Sequence, residues 1–353
     1  MRCEKKIEMK HSKPWLVIDW IVFSVFAVLC FFSFQQGDIM HTGGSAIAYL
    51  NGHILDFYDY NIQFVGGNAY MPSSYILFAI WDIPLKLFGI LKLPTMTASF
   101  GVIMWYKLLP TLFYLASAIL IYKIARVIGM EEKKSKLCAY VFLTTPIGFF
   151  SQFIFGQYDS FTVFFMLLGV LFFFRKDYLK FTLFFGISLT FKYFSLLIYI
   201  PMLLMAEKRI WHIVKHMILV VIPIAIEILL YLPSEGFRSG VFGFGATSYI
   251  FQASLDTQFF SISLFLVFWI VVCGVAYFMD PEQQADFVKW TIFLTNVVTF
   301  LIFGMSMWHP QWLLFAVPFW VLGSFLNKKF GIFMILDIIL MGFFVLFTVN
   351  FWI

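Results

Sequence analysis

A chain of 353 residues that is 62% hydrophobic and only 12% charged has too little polar surface to cover a water-soluble globule. Its formal charge of +5 carries little information until the basic residues are placed along the chain. Apolar runs of about 18 residues or more recur from end to end, each long enough to cross a ~30 Å hydrocarbon slab as a helix. The fold class is therefore read as all-α, a polytopic transmembrane helical bundle. No polar block large enough for a soluble domain interrupts the runs, so 1–353 reads as a single integral-membrane domain.

Arg2, Lys5, Lys6, Lys10 and Lys13 precede the first apolar run, 15–34, which predicts a cytoplasmic N-terminus. That run lacks a small-residue cleavage site and reads as an uncleaved first helix, not a signal peptide. A long outer loop, 35–104, follows. Within it 73–93, "SSYILFAIWDIPLKLFGILKL", is apolar but holds Asp82, Pro84, Lys86 and Lys92, and it predicts an interfacial or re-entrant helix. Further spans are expected at 105–124, 137–155, 160–174, 213–232, 260–279, 288–306, 311–326 and 330–350. The stretch 181–206 is too long for one span and carries Lys192 near its middle. It is read as a helix rising to about Tyr193 and a second descending to Ala206. The result is about eleven spans in the plasma membrane with an outer C-terminus. Of the 24 Lys and Arg residues, Lys86, Lys92, Lys107, Lys192 and Arg238 fall outside and the rest inside. Cys3, Cys30, Cys138 and Cys273 show no CxxC spacing and imply neither a zinc site nor a disulfide framework.

The outer loop opens with an unusual density of polar groups: Asp38 and His41, then Asp56 and Asp59. At the same expected depth lie "GQYD" (156–159), Lys192 and "WHPQW" (308–312). A carboxylate, a lysine and a histidine at a membrane boundary suit chemistry on a charged lipid head group. Each also has a plain structural use. An Asp just past a helix end commonly caps or turns the chain. Asp56 and Asp59 read as turn residues among interfacial tyrosines. Lys192 can snorkel to head groups, and His309 before Pro310 can serve a helix start. Glu227 and Asp337, inside apolar runs, fit either a cavity lining or a partner on a neighbouring helix, and Asp19 fits the inner interface.

The order of these elements carries a resemblance. "GDIMH", "NGHILDFYDYN" and "AYMPSSY" (69–75) resemble the first outer loop of GT-C-type glycosyltransferases, with Ser73 where their Y-P-P-like element has its second proline. "GQYDSFTVFFMLLGVLFFF" resembles the G-Q-x-D helix start of mannosyl- and glucosyltransferases in that superfamily. "GISLTFKYFSLLIYIPMLL" (186–204) resembles their lysine-bearing helix, and "WHPQWLLFAVPF" their late His-containing helix start.

What the resemblance implies is transfer of a hexose from a polyprenyl-phosphate-linked sugar to an acceptor hydroxyl on a glycan, glycolipid or protein at the extracytoplasmic face, with inversion. Asp38 would be the general base. With an ordinary carboxylate pKa of about 4 it cannot ionise a sugar hydroxyl beforehand, so proton removal must accompany bond formation. Lys192 would balance the departing phosphate and His309 would donate to it. Gln157 and Asp159 would position donor or acceptor; His41 belongs to the same binding group without a fixed role. A metal between Asp38 and Asp159 is not required, because Lys192 and His309 can meet the phosphate charge, and no other cofactor is implied. Without a glycine-rich phosphate loop a sugar nucleotide is not the expected donor, and nucleic acid is not an expected partner. The competing readings are a transporter or flippase of lipid-linked sugars, which would place paired charges and repeats near the midplane, and a scaffold for polymer assembly.

Overall fold

Apolar runs without turn formers can satisfy their backbone only as helices when water is excluded, and helices dominate. The computed structural model describes residues 14–245, 248, 251–306 and 309–351. Arg2, Lys5, Lys6, Lys10, Lys13, Cys3 and Trp308 lie outside the described residues. Helix α1 (Pro14–Ser33) is the first apolar run and presents Val17, Ile18, Ile21, Phe26 and Leu29 outward. Three residues later α2 (Gly37–Leu50) leaves it at 71°.

The segment 35–104, expected to hold an interfacial or re-entrant helix at 73–93, contains further helices. Beside the anticipated helix in 73–93, seen as α4 (Pro72–Leu87), it contains α2 and α3 (Phe57–Val65), packed on a separate core of Ile47, Phe57, Tyr58, Tyr75, Phe78 and Tyr106. A Cβ on Gly44 would stand 2.0 Å from the Thr95 carbonyl oxygen, so only glycine lets α2 seat there. Two acids act as fasteners. Asp59 Oδ1 accepts from the Gly236 N–H at 2.7 Å, and Glu227 accepts from the Ser73 hydroxyl in the first turn of α4. The latter places a carboxylate at the positive end of that helix. Asp56 pairs with His53 at 2.7 Å on the surface. These three acids serve structure, as their turn-like context suggested for Asp56 and Asp59.

Beyond the loop come α5 (Phe100–Val127), α6 (Glu132–Thr144), the short α7 (Pro146–Phe149) running into a π-helical turn (Phe150–Phe155), and α8 (Asp159–Phe174). Next are α9 (Tyr178–Phe191), α10 (Phe194–Ala206) and α11 (Ile210–Tyr231). The expected division of 181–206 is present: α9 stops at Phe191, Lys192 is extended (φ −149°, ψ 127°), and the helix restarts at Phe194. After α12 (Glu235–Phe237) and a π turn (Arg238–Phe242), the segment expected to begin a span at 260 instead contributes a strand. Here β1 (Ser254–Asp256) pairs antiparallel with β2 (Ser261–Ser263), Ser254 opposite Ser263. The chain closes with α13 (Leu264–Phe278), α14 (Gln284–Met305), a 3-10 turn (Pro310–Phe315), α15 (Val317–Leu326) and α16 (Phe330–Phe351).

Among the described residues, α5, α11 and α14 are long and apolar enough to cross a membrane. Counting each bent pair, α1 with α2 and α6 with Pro146–Phe155, as one span brings the number to five. Six further apolar helices have 10–17 residues. Among the described residues the fold is all-α with one short hairpin, and several of its helices are apolar and long enough to cross a membrane.

Candidate functional site

Three interruptions of helix bring the site together. The break between α9 and α10 exposes Lys192 to side partners. The left-handed Gly156 (φ 73°) ends the π turn and redirects the chain, so that Gln157 and Tyr158 lead into α8 with Asp159 as its first residue. The loop ahead of the 3-10 turn presents His309 and, one turn on, Trp312.

Lys192 Nζ lies 2.5 Å from Asp159 Oδ1, and both side chains are buried, with 9% and 1% of their surface exposed. The ammonium also sits 4.9 Å from the centre of the Trp312 ring and 5.2 Å from that of Tyr158. Two aromatic faces and one carboxylate thus replace the water this cation has lost. Asp159 Oδ2, Gln157 Nε2 and the Tyr158 hydroxyl are buried and have no hydrogen-bond partner among the described residues. Unanswered donors and an acceptor concentrated on three successive residues suit a polyhydroxylated ligand.

Asp38, in the first turn of α2, is exposed. Its carboxylate is near enough to act electrostatically on Lys192, His309, Tyr70 and Tyr158. Burial and the Lys192 charge hold the His309 imidazole below its ordinary value, against the opposing pull of Asp38 and Asp159. At neutral pH that ring is uncharged and carries one N–H. The Tyr70 and Tyr158 rings meet edge to face at 4.8 Å, joining the 35–104 segment to the start of α8.

Of the residues singled out from sequence, Asp38, Gln157, Asp159, Lys192 and His309 therefore gather in one region from four separate stretches. His41 does not join them through a free ring: its Nε2 is 2.9 Å from the Gly67 carbonyl and ties α2 to the turn after α3. Tyr70, Tyr158 and Trp312 were passed over, although each stands inside a motif already singled out; an aromatic in a chain with 49 phenylalanines offers no contrast by itself. The direct pairing of Lys192 with Asp159 was likewise invisible at a separation of 33 positions.

A cavity of about 660 Å³ lies between α14, the 3-10 turn, α15 and α16, lined by Phe300, Leu313, Ala316, Trp320 and Phe343. Asp337 also lines it, which answers the alternative left open for that acid. The cavity shares with the polar cluster the 3-10 turn that His309 opens. No family model, curated protein or solved structure matches this chain.

Proposed function

We propose that this protein is an inverting GT-C-type glycosyltransferase that moves a hexose from a polyprenyl-phosphate sugar to an acceptor hydroxyl at the extracytoplasmic face of the plasma membrane. The observation that carries the reading is the convergence of an exposed carboxylate, Asp38, on a buried Asp159–Lys192 pair flanked by a neutral histidine.

In this reading the acceptor oxygen attacks the anomeric carbon while its proton passes to Asp38. The bond from that carbon to the phosphate oxygen breaks on the opposite face, and the polyprenyl phosphate leaves with the electron pair. Asp38 later returns its proton to water. General-base assistance of this kind is worth roughly 10²- to 10⁴-fold. The Lys192 ammonium, with three protons and one carboxylate partner, and the His309 N–H face the departing charge. Gln157 Nε2, the Tyr158 hydroxyl and Asp159 Oδ2 offer donors and an acceptor to sugar hydroxyls. The apolar cavity beside the 3-10 turn suits an isoprenoid chain.

The membrane arrangement belongs to the same proposal. The three long helices, the two bent pairs and the six shorter apolar helices make eleven hydrophobic units, one for each span expected from the distribution of basic residues. Helix α9 has 14 residues and rises about 21 Å at ~1.5 Å per residue, short of a ~30 Å core. Starting from the inner boundary, it would leave Lys192 recessed below the outer surface.

The test is release of polyprenyl phosphate and labelling of acceptor by the purified protein in lipid nanodiscs, given polyprenyl-phosphate glucose or mannose and envelope glycolipids. Transfer that disappears in Asp38→Asn while thermal stability is retained supports the reading. Undiminished transfer by that variant would remove Asp38 as the base. Movement of the lipid-linked sugar across proteoliposomes that is insensitive to the substitution, with no transfer, would replace the enzyme by a transporter.

A further inference from the structure

Lys107 lies in α5 with its side chain buried, and its ammonium is surrounded by main-chain oxygens. It donates to the carbonyls of Phe31 and Phe34 at 2.9 Å each and of Phe153 at 2.7 Å, with the Cys30 carbonyl at 3.5 Å. Three short acceptors match the three protons of the group. The Phe31 oxygen belongs to the last turn of α1 and the Phe34 oxygen to the residue just past it, where carbonyls lack helical partners and the negative end of the dipole lies. The Phe153 oxygen belongs to the π turn that ends at Phe155. One cation therefore joins the ends of two helical segments distant in sequence.

Both segments lead directly into the site. Asp38 stands four residues past Phe34, and Asp159 six past Phe153. Helix α5 also holds the chain on either side of Gly156: Gln152 Nε2, in the π turn, donates to Thr111 Oγ1 at 3.2 Å, and Ser160 Oγ, in α8, to the Pro110 carbonyl at 2.8 Å. A Cβ on Gly156 would fall 2.8 Å from Lys107 Cε, so the residue that turns the chain towards Gln157 is also the one that lets the lysine stem pass.

We propose that Lys107 is a positioning residue, setting the separation between the Asp38 carboxylate and the Asp159–Lys192 pair by holding together the chain ends that carry them. The inference rests on the transfer reading, and its test separates the two. Spin labels are placed at Gln35→Cys and Phe155→Cys after replacement of Cys3, Cys30, Cys138 and Cys273, and their distance distribution is measured with Lys107 and with Lys107→Met. Loss of the tie broadens or displaces a narrow distribution. In the unlabelled protein, Lys107→Met lowers kcat by roughly 10²-fold, the loss expected for about an ångström of misplacement, while KM for the donor stays within about twofold. Lys107→Gln, which keeps donors for part of the carbonyl set, stands in if the methionine variant does not fold.

Lys208→Met is the control. It removes a lysine that caps helix ends elsewhere and leaves kcat within about twofold. An unchanged label distance in the Lys107 variants overturns the proposal whatever the rate does. So does a kcat within about threefold of the parent, or an equal loss in Lys208→Met. If the parent protein transfers no hexose, the transfer reading falls while the label distance still judges Lys107.

Discussion

Lys192 and Lys107 are both buried cations in a greasy chain, and their surroundings divide them. Lys192 meets a carboxylate and two aromatic faces at a break between helices, beside unpartnered polar atoms. Lys107 has the Phe31 ring 5.2 Å away, but its hydrogen-bond acceptors are main-chain carbonyls at the ends of helical segments. Lys208 repeats the second pattern in another region, donating to the carbonyls of Leu204 and Ala276 at 2.8 Å and of Met279 at 2.9 Å, where α10 and α13 end. Main-chain oxygens at helix ends cannot leave when a ligand arrives, so a lysine absorbed by them is architecture. A lysine held by one movable carboxylate can share its charge with an incoming group.

The comparison is broken most directly at the Lys192 pair. Lys192→Met strands Asp159 as a buried charge and should destabilise the protein by ~3–5 kcal/mol, whereas Lys192→Met combined with Asp159→Asn should recover most of that loss. Thermal denaturation of the parent and the two variants in one detergent checks this. A double variant no more stable than Lys192→Met alone would mean that the pair is not a mutually compensating unit.

Lys208→Met sharpens the contrast at smaller scale. Loss of charge-assisted bonds to three carbonyls should lower stability by about 1.5–3 kcal/mol, with hexose transfer unaffected. A transfer defect without a fall in Tm would place this lysine with Lys192.

The smallest effect is expected at Glu207, next to Lys208. Its carboxylate accepts from Arg209 Nε at 3.0 Å and from the Arg209 and Lys208 backbone N–H groups at 2.9 and 3.0 Å. The Arg209 guanidinium, aided by these amides, holds it at about 2, well below an ordinary glutamate. A depressed folded value means that the contribution to stability is complete above the ordinary glutamate range of about 4.3 and is lost as pH falls from there through about 2. The Tm difference between the parent and Glu207→Gln should therefore shrink across that interval. A difference that is constant with pH would detach Glu207 from this pairing.

Much of the helical layout was readable because hydrophobic run length and helix length obey the same geometry. The expected 160–174 became Asp159–Phe174, and 330–350 became Phe330–Phe351. The split at Lys192 was readable too, since a lysine in the middle of an apolar run is tolerated only at a boundary or a break. The hairpin of β1 and β2 was missed because Ser261–Ser263 is continuous in composition with the helix that follows. The helices α2 and α3 inside 35–104 were missed because two glycines in "HTGGSA" argue against a helix until Thr95 is known to lie against Gly44. In the site, acids and bases stood out against an apolar background, but their partners did not. Glu227 reaches Ser73 and Lys107 reaches Phe153 across separations that no local pattern encodes.

Composition and spacing alone determined that this is a helical chain with helices apolar enough to cross a membrane and an acid-rich stretch after the first of them, because transfer of apolar surface and backbone satisfaction act residue by residue and depend little on distant neighbours. Which lysine faces a carboxylate and which disappears into carbonyls was decided only in three dimensions. A buried charge takes whatever compensation the packed helices bring within about 3 Å, and that identity is a property of the assembled bundle.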